Sequence, residues 1–360
     1  MLNFSVGPVA IPPHIRAMGS DPVPYFRTAE FSACMKENET MLLSLSHAPQ
    51  NARAVFLTGS GTFAMEAAVA NLLLPSDRVL VVNGGTFGAR FSQLCACYGH
   101  TFDEILLPAG TPITADHLAP FDGQGHTALL VNLHETSTGT LYDLDLLADF
   151  CRKNRMLFVV DAISAFLADE IDVSRAGIDA LIVSSQKALA LAPGLSMIVL
   201  SETARDRITK SSPKSLYLDL GDALANMERG QTPFTPAVGL LLQLHRRLSD
   251  ITARGLEAER NDIRTLATDF RQRIVASGLP FTFFSSSPSN AVTALECPPT
   301  TSAHALFEAL KDDYGIWVCP NGGALRDRVF RVGHLGALSV EDNETLLRAL
   351  LDCKRKGLIQ

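Results

Sequence analysis

Lys187 is the only charged residue in the 22-residue stretch Ala180–Ser201, which reads ALIVSSQKALALAPGLSMIVLS. An ammonium between two apolar, strand-like runs is expensive to bury unless it pairs or reacts. Burial also lowers the pKa of a lysine and frees its amine as a nucleophile for Schiff-base chemistry. A lysine at the mouth of a strand can instead extend its stem and reach solvent. What accompanies the lysine decides between these.

Two other strand-like runs end in the same way. Asp161 is the single charge in Met156–Ala168, at the end of LFVVD. Glu135, beside His134, is the single charge in Thr127–Tyr142, just after LLVNL. Ligands of open α/β sheets sit beyond the carboxyl ends of the strands. Each residue alone would be an ordinary solvated strand end, but three in otherwise neutral runs point to one site. An aspartate and a lysine in one low-dielectric cleft would perturb each other's pKa strongly.

A fourth element is the turn Thr58-Gly59-Ser60-Gly61-Thr62, between the strand-like AVFLT and the helix-like FAMEAAVANLL. Small residues at a strand-to-helix turn present backbone N–H groups to an anion. Ser60 or Thr62 could equally serve as an N-cap. The turn is not a Walker sequence, and Ala64 holds the place of the third glycine of GxGxxG. It suits one phosphate group rather than a dinucleotide. An anion seat, a strand-end carboxylate and a strand-end amine together match pyridoxal phosphate. Its phosphate needs N–H donors, its ring nitrogen a carboxylate, and its aldehyde an amine.

The elements that must position these groups follow from the hydrophobic pattern. Strands are expected at Ala54–Thr58, Arg78–Asn83, Asp103–Leu107, Ala128–Leu133, Leu157–Asp161, Ala180–Ser185 and Ser196–Leu200. Helices are expected at Phe31–Leu45, Phe63–Leu73, Ala89–Tyr98 and Asp143–Asn154, with a short turn at Ser174–Gly177. Alternation of this kind gives an α/β fold with a mostly parallel central sheet covered by helices. A long helical pattern, with interruptions, from Ala237 to Ser277 leads to a smaller C-terminal α+β domain. Its strands are expected at Phe281–Phe284, Ala291–Glu296, Ile316–Cys319 and Phe330–Gly333, its helices at Ala303–Tyr314 and Glu341–Lys354. The domains divide as an N-terminal arm (1–20), a large domain (21–252) and a small one (253–360).

Bulk composition excludes several classes. The chain of 360 residues suffices for two domains, and its 47% hydrophobic and 19% charged content is that of an ordinary globular protein. A net charge of −7 without long runs of like charge weighs against a nucleic-acid partner. The seven cysteines are scattered and form no CxxC pair, so neither a disulfide framework nor structural zinc is expected. A reducing, cytoplasmic setting fits. The N-terminus MLNFSVGPVAIPP lacks the layout of a secretory signal, and no apolar run is long and charge-free enough for a membrane partner.

The sequence resembles the class V pyridoxal-phosphate-dependent aminotransferases of fold type I, near the alanine/serine–glyoxylate and 2-aminoethylphosphonate–pyruvate branches. The resemblance rests on TGSGTFAMEA (58–67), NGGTFGARF (83–91), HETSTGTLYDL (134–144), VDAISAF (160–166), GIDALIVSSQKALALAPG (177–194), TPFTP (232–236) and VFRVGHLG (329–336), all in order. It implies that Lys187 forms the Schiff base and shuttles a proton, while Asp161 pairs with the ring nitrogen. Phe87 and Ile163 would cover the two ring faces, and Thr136, with Ser137 as its neighbour, would bond near the phenolic oxygen. Ser60, Gly61, Thr62 and Gln186 would cradle the phosphate. Thr235 and Thr232 would reach it from the second subunit of a homodimer whose site lies at the subunit interface. Arg331 would bind the substrate carboxylate, with Arg27 a further candidate, and Arg90 and His334 stand near the pocket. The implied activity is ping-pong transfer from an amino donor such as alanine or serine to a 2-oxo acid such as pyruvate or glyoxylate. The competing readings are a 2-aminoethylphosphonate–pyruvate transaminase, a lyase or cysteine desulfurase using Cys319 or Cys297, a cofactor-free binding protein, and a nicotinamide dehydrogenase. The last lacks its glycine fingerprint here.

Overall fold

Short runs of Val, Ile and Leu become strands because branched side chains pack well on a pleated surface covered on both sides. The structure, a computed structural model, describes residues 1–212 and 215–360. The central sheet has seven strands, ordered from one edge Arg53–Thr58, Leu195–Leu200, Ala180–Ser184, Leu157–Asp161, Ala128–Asn132, Arg78–Asn83 and Thr101–Leu106. Leu195–Leu200 pairs antiparallel with both its neighbours, and the remaining pairs are parallel. Six strands therefore present their carboxyl ends at one edge. Side chains alternate across the sheet: Phe158 and Val160 enter one core, Leu157 and Val159 the other. Asp161 follows the parity of Leu157 and Val159, and in register it faces Asn132 on one side and Ile182 on the other.

Helices cover both faces. Gly61–Leu72 buries Ala64, Met65, Ala68 and Leu72 in the core that Leu157 and Val159 share. Leu144–Asn154 starts from Asp143, whose carboxylate accepts the Leu146 N–H, and stops at Arg155 in the left-handed region. Between residues 201 and 236, where the pattern suggested no element, lie helices Glu202–Lys210 and Leu220–Met227. They are capped by Ser201 and Asp219. The interrupted helical pattern expected from 237 to 277 is two helices, Val238–Arg254 and Leu256–Ser277. Gly255 at φ +91° separates them, a backbone conformation a helix does not contain.

The C-terminal sheet is antiparallel, ordered Thr282–Phe283, Val292–Glu296, Val329–Gly333, Cys319–Pro320. The single strand expected at Ile316–Cys319 is divided. Ile316–Trp317 pairs in parallel with Leu2–Asn3 at the N-terminus, and Cys319–Pro320 joins Val329–Gly333. The N-terminal arm thus joins both units: Phe4 is buried in the C-terminal core, while the Val9 N–H donates to Gln186 O at 3.2 Å. Among the described residues no helix is long and apolar enough to cross a membrane.

Candidate active site

Asp161 ends its strand 1% exposed. One carboxylate oxygen accepts the Asn132 side-chain amide at 2.8 Å, the other the Ile163 N–H at 2.9 Å. Burial pushes its pKa up to about 6 although both hydrogen bonds pull the other way. Lys187 follows the next strand, 7% exposed, and burial lowers its pKa to about 8. The Arg331 charge lowers it further, against Cys319 and Asp161. Both side chains line one cavity of about 210 Å³.

The lysine is held from the far end of the chain. Its Nζ donates to the carbonyl of Val6 in the N-terminal arm. Gly7 packs so closely that a Cβ there would lie 2.8 Å from Lys187 Cδ.

The anion seat forms the opposite part of the cavity. Ser60 has N-cap backbone geometry, yet its side chain makes no cap bond, which answers the N-cap alternative for that residue. A Cβ on Gly61 would lie 2.3 Å from Ile163 Cδ1, so a larger residue at this helix start would have to displace the Ile163 side chain. Thr62 Oγ1 accepts from Arg90 Nη1 at 3.0 Å, and the Arg90 guanidinium lies 4.9 Å from the Phe87 ring centre. Gln186 accepts from Ser184 Oγ at 2.5 Å. Ser60, Gly61, Thr62, Phe87, Arg90, Ile163, Gln186 and Thr136 all line the cavity, and Thr136 Oγ1 is 2.7 Å from Ser164 Oγ.

Glu135 departs from its expected place among the site charges. It is fully buried but does not line the cavity. Its carboxylate accepts the N–H groups of Phe87 at 3.1 Å and Gly88 at 3.0 Å, at the start of helix Gly88–Cys97. Ser137 also donates to Glu135 rather than entering the cavity. An anion at a helix N-terminus satisfies its orphan donors, which explains a lone charge after an apolar strand without a ligand.

Other expected site residues stand apart. Arg331 is buried behind the cavity, donating to Thr136 O at 3.0 Å and Pro320 O at 2.6 Å, and its Nε has no partner. Arg27 is exposed, donates to Pro233 O at 3.3 Å and does not line the cavity. Thr232 and Thr235 line a different, aromatic surface pocket with Phe63, Tyr217 and Phe234. His334 is buried in the C-terminal unit, bonded to Thr293. Cys319 lies in a strand with its sulfur 3.1 Å from Arg331 Nη2, and Cys297 is buried at the end of another.

Comparison with known proteins identifies the family. The class-V aminotransferase family model matches residues 25–318. The chain belongs to the class-V aminotransferases. It is 32% identical to the small subunit of a soluble hydrogenase from Synechococcus sp., over 96% of this chain and 90% of that protein. It is 29% identical to an alanine–glyoxylate aminotransferase from Oryctolagus cuniculus, over 99% of this chain and 94% of that protein. The crystal structure of an aspartate aminotransferase of subgroup IV from Thermus thermophilus matches with a TM-score of 0.91 at 28% identity, covering 99% of both chains.

As a class-V aminotransferase the protein is an enzyme that depends on pyridoxal 5'-phosphate. Its cavity fits that group: an amine with a lowered pKa, a buried carboxylate that no cation bonds among the described residues, and a helix start with an uncommitted Ser60 hydroxyl. Sequence reasoning missed Asn132, Ser164, Val6 and Gly7. Asn132 ends the neighbouring strand directly opposite Asp161 in register and could have been found by the strand-end rule. Val6 and Gly7 carry no local signal.

Proposed function

We propose that this class-V aminotransferase takes an amino group from alanine, serine or a similar small donor and passes it to a 2-oxo acid such as pyruvate or glyoxylate. The two half-reactions share one site in turn. The observation that carries this reading is the shared cavity of Lys187 and Asp161, an amine whose pKa burial lowers to about 8 beside a buried carboxylate. The alanine–glyoxylate relative supports the choice of substrates.

Bound pyridoxal phosphate supplies an electron sink for the carbanion left when the donor loses its α-proton. Asp161, braced by Asn132, holds a negative charge for the ring nitrogen. Lys187 would hold the aldehyde, and its amine would take the proton from the donor's α-carbon and return it. Phe87 and Ile163 would cover the ring, and Thr136 and Ser164 would offer it hydroxyls. Ser60, Gly61, Thr62 and Gln186 would hold the phosphate, with Arg90 adding a cation. Arg331, whose guanidinium donates to the carbonyl of the cavity-lining Thr136, would bind the donor carboxylate.

The working form is a homodimer. Thr232 and Thr235 cannot serve their own cavity, and they sit beside exposed Leu216, Tyr217 and Phe234, an apolar strip that a second copy would cover. The seven free cysteines fit the reducing cytoplasm.

Half-reactions with alanine, serine, glutamate and 2-aminoethylphosphonate, followed as loss of the cofactor's long-wavelength absorbance, test the substrate class. Alanine or serine should react fastest. If none reacts while cysteine releases sulfide, the aminotransferase reading of the site fails.

A further inference from the structure

The backbone turns sharply after Lys187. Ala190 is left-handed at φ 53°, its N–H donates to Lys187 O at 2.8 Å, and the Leu191 N–H donates to Ser185 O at 3.0 Å. Ala188 and Leu189, between them, are buried, and buried carbonyls need donors. One side chain serves both. Arg247 donates Nε to Leu189 O at 3.2 Å and Nη2 to Ala188 O at 3.4 Å. The same Nη2 bonds Glu259 Oε1. Arg247, in helix Val238–Arg254, is 9% exposed, and Glu259, across Gly255 in helix Leu256–Ser277, is 6% exposed.

This second helix carries Phe270 and Ile274 into the C-terminal core. A continuous set of contacts therefore runs from the C-terminal unit through Glu259 and Arg247 to the two residues after Lys187. A guanidinium is a rigid planar fork, so the angle between the helices and the height of the Lys187 turn are set together. A groove of about 550 Å³, lined among others by Ala188, Arg247, Glu259, His334 and Gly336, opens beside these contacts.

We propose that Arg247 is a positioning residue for amino transfer: with Glu259 it holds the Lys187 turn at the height where the amine meets the donor's α-carbon. The inference rests on the role given to Lys187 above. Arg247 does not line the cofactor cavity, so its effect passes through the turn.

The test uses the full-length, cofactor-loaded enzyme and the variants Arg247→Met, Arg247→Lys and Glu259→Gln. Two quantities are read: the first-order half-reaction rate at saturating alanine, and the pH midpoint of the resting cofactor spectrum, which needs no donor. Arg247→Met should slow the half-reaction about tenfold or more with little change in alanine half-saturation, and should move the pH midpoint. Arg247→Lys should recover most of the rate, because it restores a donor to the turn. If Arg247→Met does not fold, Glu259→Gln carries the test, with about a threefold loss expected. Rates and midpoints within about twofold of the parent, with stability alone reduced, would overturn the proposal. If the parent itself reacts with no donor, the functional reading fails, and the resting pH midpoint still decides the role of Arg247.

Discussion

Asn132 donates its side-chain amide to the Asp161 carboxylate at 2.8 Å across adjacent parallel strands, at matched register. The bond favours the ionised carboxylate in a place where burial disfavours it. Asp161 is raised from its ordinary 3.8 to about 6, so the folded state holds its proton more tightly than the unfolded chain. The stability this group contributes to cofactor-free protein is full below pH 3.8 and is lost as pH rises through about 6. Asn132→Ala should push the end of that loss to higher pH, and Asp161→Asn should abolish it. Thermal unfolding of cofactor-free protein between about pH 4 and 8 reads both effects. In loaded enzyme Asp161→Asn should slow the half-reaction by roughly 100-fold.

The signal that revealed Asp161 and Lys187 was one charge in a long neutral run, and it worked because both side chains are buried at strand ends. The same signal misplaced Glu135, since a helix N-terminus satisfies a buried carboxylate as well as a ligand does. Composition cannot separate the two. The strands were legible because sheet burial on both faces leaves continuous apolar runs. The helical pattern from 237 to 277 read as interrupted, but the place of the break, Gly255, was not legible, because apolar periodicity resumes at once on its far side. Nor could local pattern show Val6 meeting Lys187, a contact between residues 181 apart.

Lys187→Met should stabilise cofactor-free protein at pH 7. Its amine falls from 10.5 to about 8, so the folded state binds its proton more weakly than the unfolded chain. The penalty is full below about 8 and fades as pH rises toward 10.5. Allowing for the lost bond to Val6 O, the gain at neutral pH is about 2 kcal/mol. Denaturant unfolding at neutral pH and near pH 10.5 checks it; a gain that does not shrink at the higher pH contradicts the burial account.

Glu135→Ala should act on the scaffold. Removing the acceptor of the Phe87 and Gly88 N–H groups leaves helix Gly88–Cys97 uncapped, at a cost of about 1–3 kcal/mol. Phe87 then loses its fixed position, and cofactor affinity should weaken in a spectroscopic titration. Unchanged stability and affinity would show that the carboxylate is dispensable.

Arg331→Gln should raise the donor concentration for half-saturation about 10–100-fold, the value of a hydrogen bond between charged groups. Cofactor affinity should stay near that of the parent, since Arg331 does not line the cofactor cavity. Arg331→Lys should recover part of the donor affinity. Equal weakening toward donor and cofactor would assign Arg331 a structural role.

Whether Lys187 carries the cofactor is read directly by trapping. Protein loaded with pyridoxal phosphate is reduced with borohydride, digested, and its peptides are weighed. The peptide containing Lys187 should gain one reduced pyridoxyl-phosphate group, and the same treatment should leave Lys187→Met unlabelled. An unmodified Lys187 peptide, with the label on another lysine or absent, would contradict that role for Lys187.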